Sequence, residues 1–192
     1  NDADLLRRHV VPMPDTLASV ALIVISGLPG TGKSYFSRCM AERVPLAVVE
    51  TDAMRKVLFP FPTHSGSENA RLFKACHALV EDILGKGVPV LFDATNLIEY
   101  KRERLYNIAH KTNAKLIIVS VEAPVYVVSE RLRRREDGDG GEDNSTADIS
   151  VYRRMVSSVE PIRRDNFAVD TSNDITPVID KIVREMDRLV RA

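Results

Sequence analysis

The sequence has little cysteine, and none in metal-binding spacing. Cys39 and Cys76 stand far apart, which argues against a disulfide scaffold or a C-x-x-C zinc site and is expected of a reducing compartment. No apolar run approaches the roughly 18 residues a membrane span requires. The opening Asn1-Asp2-Ala3-Asp4, followed by Arg7-Arg8-His9, lacks the basic-then-apolar order of a signal peptide. The expectation is a cytoplasmic protein with no membrane association. Net charge is missing too: 27 Lys and Arg balance 27 Asp and Glu, so any polyanion site must come from local clustering. No internal repeat is visible, and no [NT]-K-x-D guanine motif occurs, which argues against a GTPase. The chain opens on Asn1 rather than Met, as expected of a trimmed chain or a piece of a longer one.

The 192 residues, 44% hydrophobic and 28% charged, suit one domain with a core of ordinary size. Residues 1–19 carry Pro12 and Pro14 with weak periodicity and read as a surface arm, leaving one domain over 20–192. Five apolar runs follow: Val20–Ile25, Leu46–Val49, Val88–Phe92, Lys115–Val121 and Asn166–Val169. Unbroken runs of this kind suit strands buried on both faces. Helical patterns lie between and after them at 33–43, 67–86, 99–112, 124–135, 146–158 and 175–191. The alternation predicts an α/β fold, an open parallel five-stranded sheet with helices on both faces. Strands two, three and five hand over to acids at the carboxyl edge, where ligands bind in such sheets. From Arg131 to Asn144 a basic helix end passes into Gly/Asp-rich sequence without an apolar anchor, the pattern of an Arg-rich lid over about 131–150.

Gly27, Leu28, Pro29, Gly30, Thr31, Gly32, Lys33 and Ser34 match G-x-x-x-x-G-K-[ST] at every fixed position. An apolar strand pattern precedes the match and a helical one follows it, the context a phosphate-binding loop needs. Glycines let backbone N–H groups turn inward around phosphates. Lys33 supplies a charge to the β- and γ-phosphates, Ser34 a hydroxyl for Mg²⁺, and the helix start a favourable dipole. ATP and Mg are the expected cofactors.

Motor and hexameric ATPases require more chain, so a small domain with an Arg-rich lid points to a nucleotide- or metabolite-kinase type. Asp52 can take the proton of an attacking hydroxyl with Arg55 holding the acceptor, or it can cap the next helix. Asp93 can hold water on Mg²⁺, orient Arg55 or cap the helix at 99–112. Thr95 and Asn96 either contact the acceptor or close a turn. Arg131 is the first choice among the lid arginines to reach the triphosphate, with Arg135 on the same face; cations at a helix C-terminus are the alternative. His64 sits in a loop that either lines the acceptor pocket or lies on the surface. Arg153, Arg154, Arg163 and Arg164 form either a polyanion track or ordinary solvated faces.

Gly27–Ser34, Thr51-Asp52-x-x-Arg55, Asp93-Ala-Thr-Asn96, the Arg131–Arg135 run and Tyr152…Glu160-Pro161 occur in the same order as in polynucleotide-kinase-like P-loop kinases. The resemblance spans roughly residues 20–172. It implies that Asp52 is the general base with Arg55 beside it, that Arg131 contacts the ATP phosphates, and that Asp170–Asn173, with Ser172, lies near the adenine. The same layout serves small-molecule kinases and zeta-toxin-like sugar-nucleotide kinases. The implied activity is therefore transfer of the γ-phosphoryl group of ATP to an acceptor hydroxyl on a small molecule or a nucleic-acid 5′ end. No obligate protein partner is implied. The alternatives are a 5′-hydroxyl polynucleotide kinase proper and an ATP-binding switch with slow hydrolysis.

Overall fold

The computed structural model describes residues 1–10, 13–14, 20–136 and 148–190. Among them, β1 (Ala21–Ser26), β2 (Ala47–Glu50), β3 (Val90–Asp93), β4 (Lys115–Glu122) and β5 (Phe167–Asp170) form one parallel sheet in the order β2-β3-β1-β4-β5. The predicted open α/β sheet is the observed one.

The side-chain alternation of a strand divides the core into two layers. Leu22 and Val24 of β1 join Val49, Val90 and Phe92 on one face of the sheet. There they meet α3 (Thr51–Leu58), α4 (Gly66–Gly85) and α5 (Glu99–Lys111). Ala21, Ile23 and Ile25 face the other way, against Phe36 and Met40 of α2 (Lys33–Arg43) and Ile179, Ile182 and Met186 of α8 (Thr176–Val190). β1 is central, so all six of its residues are buried. A third, small cluster of Val128, Leu132 and Tyr152 joins α6 (Val125–Glu136) to α7 (Ile149–Val156). Of the lid expected over about 131–150, residues 137–147 lie outside the described residues.

The reading of residues 1–19 as a surface arm needs correction at its start. Asp2–Arg7 form a helix, α1, closed by a capping box in which the Asn1 side chain accepts from the Asp4 N–H. Leu6 and Val10 are buried in the first core layer. Arg71 of α4 donates to both carboxylate oxygens of Asp2 at 2.6 and 2.8 Å, and Arg7 pairs with Asp82 at 2.6 Å. Two apolar residues are too few to give a readable period, yet they suffice once α4 offers a surface.

Candidate active site

Every strand runs the same way, so the carboxyl ends of β1, β2 and β3 meet on one edge. The phosphate loop, residues 27–32, leaves β1 there and ends where α2 begins at Lys33. Its entry is tied to the end of β3 by the Gly27 N–H, which donates to the Thr95 carbonyl at 2.9 Å. A Cβ on Gly27 would stand 2.5 Å from the Val121 carbonyl oxygen, so only glycine fits. Gly32 has φ +94, and a Cβ there would meet the Thr171 hydroxyl at 2.7 Å. Within the loop, the Leu28 carbonyl accepts from the Thr31 hydroxyl at 2.8 Å and from Lys33 Nζ at 3.1 Å.

A cavity of about 390 Å³ opens beside the loop and brings Pro29, Gly30, Gly32, Lys33 and Ser34 together with Asp52, Arg55, Asp93 and Thr95. Glu50 and Asp93 are register partners at the ends of β2 and β3, which sets two acids side by side at the sheet edge. The Ser34 hydroxyl donates to Glu50 Oε1 at 3.4 Å. The buried Asp93 accepts from the Ser37 hydroxyl at 2.8 Å. Ser34, Glu50 and Asp93 thus bring a hydroxyl and two carboxylates to one cavity, an all-oxygen donor set that would suit a hard cation such as Mg²⁺. Among the described residues no group of three or more His, Cys, Asp or Glu side chains is arranged to hold a metal by itself.

Asp52 lies in the first turn of α3, half-buried, with its neighbour Glu50 as the N-cap residue, so it is not the cap. Arg55 follows one turn later and is buried. Its Nη1 donates to Glu68 Oε1 at 2.5 Å and its Nη2 to Asn69 Oδ1 at 2.7 Å, so its orienting groups are on α4. Burial would push the Glu68 carboxyl up, but the Thr63 N–H, the Arg55 guanidinium, the Thr63 hydroxyl and the His64 N–H together hold it down at about 2. The same contacts fold the 63–65 turn, where His64 has φ 55 and lines the cavity.

Two expected roles are not matched by placement. Asn96 does not line the cavity: it is buried at φ 44, and its amide donates to the Ile25 carbonyl at 2.7 Å while its own carbonyl accepts from the Ser26 hydroxyl at 3.1 Å. It locks the β3–α5 turn to the end of β1, just before the phosphate loop, the turn-closing alternative. Asp93 does not cap α5, whose N-cap is Ile98. Thr95 does line the cavity.

The two arginines expected to reach the triphosphate are placed differently. Arg131 Nη1 donates to the Thr171 hydroxyl at 2.8 Å and the Gly30 carbonyl at 3.3 Å, and its Nη2 to the Thr171 carbonyl at 3.0 Å. Thr171 in turn donates to the Thr31 carbonyl, clamping the β5–α8 turn onto the phosphate loop. Arg131 therefore lies at the loop's flank, and Arg135, one turn on, lines the cavity with Lys33. Burial and the charge of Arg135 both push the Arg131 guanidinium down. Ser172 is exposed beside this clamp, its hydroxyl donating to Asp170 at 2.6 Å.

Sequence reasoning assigns no role to Glu50, Asn69, Phe73, Lys101 and Met155, all of which line the cavity, and reaches Thr171 only as part of the Asp170–Asn173 stretch. Glu50 carries a usable signal, an acid directly after an apolar strand run. The others sit in helices or turns whose facing is decided only by packing.

Residues 22–162 match the family described as the AAA domain. The chain belongs to that family. In this chain the AAA domain has a P-loop kinase-like fold. L-seryl-tRNA(Sec) kinase of Methanococcus maripaludis is 30% identical over 115 residues, covering 57% of this chain and 44% of that protein. The chain spans less than half the length of the curated relatives it matches. Among solved structures, Chaetomium thermophilum Kti12 in complex with ADP-AlF3 superposes with a TM-score of 0.70 at 20% identity, over 88% of this chain and 98% of that one. Mycobacterium tuberculosis APS kinase CysC in complex with AMPPNP and APS gives 0.66 at 14% identity, with the same coverage of 88% and 98%. Among the described residues no helix is long and apolar enough to cross a membrane.

Proposed function

We propose that the protein is an ATP- and Mg-dependent kinase that transfers the γ-phosphoryl group to an acceptor hydroxyl. One observation carries this reading: the phosphate-loop Lys33 and Ser34 open into the same cavity as Asp52 and Arg55. Donor and acceptor then meet without crossing solvent, the arrangement direct transfer needs. The relative named L-seryl-tRNA(Sec) kinase supports phosphotransfer. The motif order of polynucleotide-kinase-like enzymes supports Asp52 as the base.

In this reading Asp52 accepts the proton of the acceptor hydroxyl as its oxygen bonds to the γ-phosphorus. The bond from that phosphorus to the β,γ-bridging oxygen breaks, and ADP leaves. Lys33 and the loop N–H groups hold the β- and γ-phosphates, and Arg135 meets charge developing on the transferred group. Ser34, with Glu50 and Asp93 nearby, would hold Mg²⁺, which neutralises phosphate charge when bound. Arg55, fixed by Glu68 and Asn69, positions the acceptor.

The test is transfer of radiolabel from γ-labelled ATP to pooled nucleosides, oligonucleotides, sugars and sugar nucleotides. Labelled product that disappears with Lys33→Ala is the expected result. ATP turnover that no acceptor raises would instead indicate a nucleotide switch.

A further inference from the structure

A second cavity, of about 470 Å³, also borders the phosphate loop but shares no lining residue with the first. Loop and helix are divided between the two. Gly27, Leu28 and Thr31 line the second, whereas Gly30, Gly32, Lys33 and Ser34 line the first. On α7, Tyr152 borders the second, whereas Val151, Arg154 and Met155 border the first. Tyr152, Glu160 and Pro161 stand out in the sequence yet have no part in phosphoryl transfer, and all three belong to the second cavity.

Its charge is opposite to that of its neighbour. Lys33, Arg55, Lys101, Arg135 and Arg154 line the first cavity. Among the described residues no Lys, Arg or His lines the second, which carries two carboxylates, Glu122 and Glu160. Glu122 Oε1 accepts from the Ser120 hydroxyl at 3.0 Å, and Glu160 Oε2 from the Glu99 N–H at 2.8 Å. Neither carboxylate is ion-paired among the described residues.

Tyr152 adds an independent sign. It is 8% exposed, its ring clusters with Val128 and Leu132, and its hydroxyl has no hydrogen-bond partner among the described residues. A polar group left unpaired in so buried a place is costly unless a bound molecule meets it. Leu28, Leu97, Val121 and Ile162 make the rest of the wall apolar. An apolar cavity of this size with a few convergent polar groups has the form of a small-molecule site. Two carboxylates without cations select positive charge, and a primary ammonium brings three N–H donors to them and to the phenol oxygen.

We propose that this cavity is a second ligand site, for an organic amine. Glu122, Glu160 and the Tyr152 hydroxyl hold the ammonium group, and an apolar body packs against Leu28 and Leu97. The site goes beyond the kinase reading and is additional to the cavity for ATP and acceptor. The phosphate loop is the common wall of the two, so amine and nucleotide occupy the protein together.

Calorimetry with phenethylamine and its uncharged counterpart 2-phenylethanol tests the site, on protein saturated with AMPPNP to keep the phosphate loop filled. The amine should bind about tenfold or more tightly than the alcohol, the worth of a hydrogen bond to a charged group. Glu122→Gln should weaken the amine about tenfold while the alcohol and AMPPNP bind as before. Tyr152→Phe keeps the ring in its cluster and should weaken the amine about threefold, the worth of one neutral hydrogen bond. No amine binding at millimolar concentration, equal affinity for amine and alcohol, or unchanged amine affinity in Glu122→Gln would each overturn the site. Displacement of the amine by AMPPNP would place it in the first cavity and overturn the proposal too. Phosphoryl transfer plays no part in these readouts, so the site stands or falls separately from the kinase reading.

Discussion

Arg55 of α3 donates to Glu68 of α4 at 2.5 Å, with both side chains nearly buried, at 9% and 6% exposure. Arg55 lines the cavity, and Glu68 behind it also holds the 63–65 turn, because it accepts from the N–H groups of Thr63 and His64 at 2.7 and 3.2 Å. One carboxylate therefore braces both a cavity-lining arginine and the turn beside it.

This makes acid sensitivity predictable. Glu68 is held at about 2, below its usual 4.5, so it adds stability above about pH 4.5 that is lost as pH falls towards 2. His77 acts in a higher window: burial, with help from Arg104, lowers it from 6.5 to about 4, so its contribution is lost between those values. Thermal melts across pH should show Glu68→Gln with a lower Tm near neutrality and a flatter profile only below about pH 4.5. An unchanged slope there would remove Glu68 from the account. His77→Phe should flatten the profile only above pH 4.

Asp52→Asn keeps size and most hydrogen bonding but removes the proposed base. Turnover should fall by roughly 100-fold or more, the usual worth of a general base. ATP affinity and Tm should hold, because Glu50 and not Asp52 is the N-cap residue of α3. A rate within about threefold of wild type would retire the role.

Thr171→Val is nearly isosteric, yet it removes the hydroxyl that accepts from Arg131 at 2.8 Å and donates to the Thr31 carbonyl. ATP should bind about tenfold more weakly, the equivalent of one hydrogen bond to a charged group. Acceptor KM should not change, since Thr171 lies outside the shared cavity. Calorimetry with AMPPNP and acceptor kinetics check the two halves.

Arg102 is fully buried and bridges three segments: Glu99 at 2.7 Å, the Asn96 carbonyl at 2.7 Å, and the Glu160 and Pro161 carbonyls at 2.9 Å. Arg102→Met strands those acceptors and should cost about 3 kcal/mol or more. For a chain of this length that is a fall of about 6–12 °C in Tm. Because Asn96 also braces Ile25 and Ser26, ATP affinity should weaken as well. A melt like that of wild type would show the bridge to be incidental.

The sequence by itself determined the sheet, the two helical layers and the phosphate loop. Those features are written in neighbouring residues: apolar runs for strands buried on both faces, and a glycine spacing that only one loop shape uses. It also brought out Asp52, Arg55, Asp93 and Thr95, because strand ends of a parallel sheet converge on one edge. Tertiary structure decided the rest. The docking of α1 through Leu6, the choice of Arg135 over Arg131 for the cavity, the turn-locking role of Asn96 and the second cavity at Tyr152 depend on which helix face packs inward. Thr171 meets Thr31 across 140 residues, and Arg102 meets Glu160 across 58. Contacts at such separations leave no local period, since the pairing energy comes from burial and hydrogen bonding that exist only after the sheet has closed.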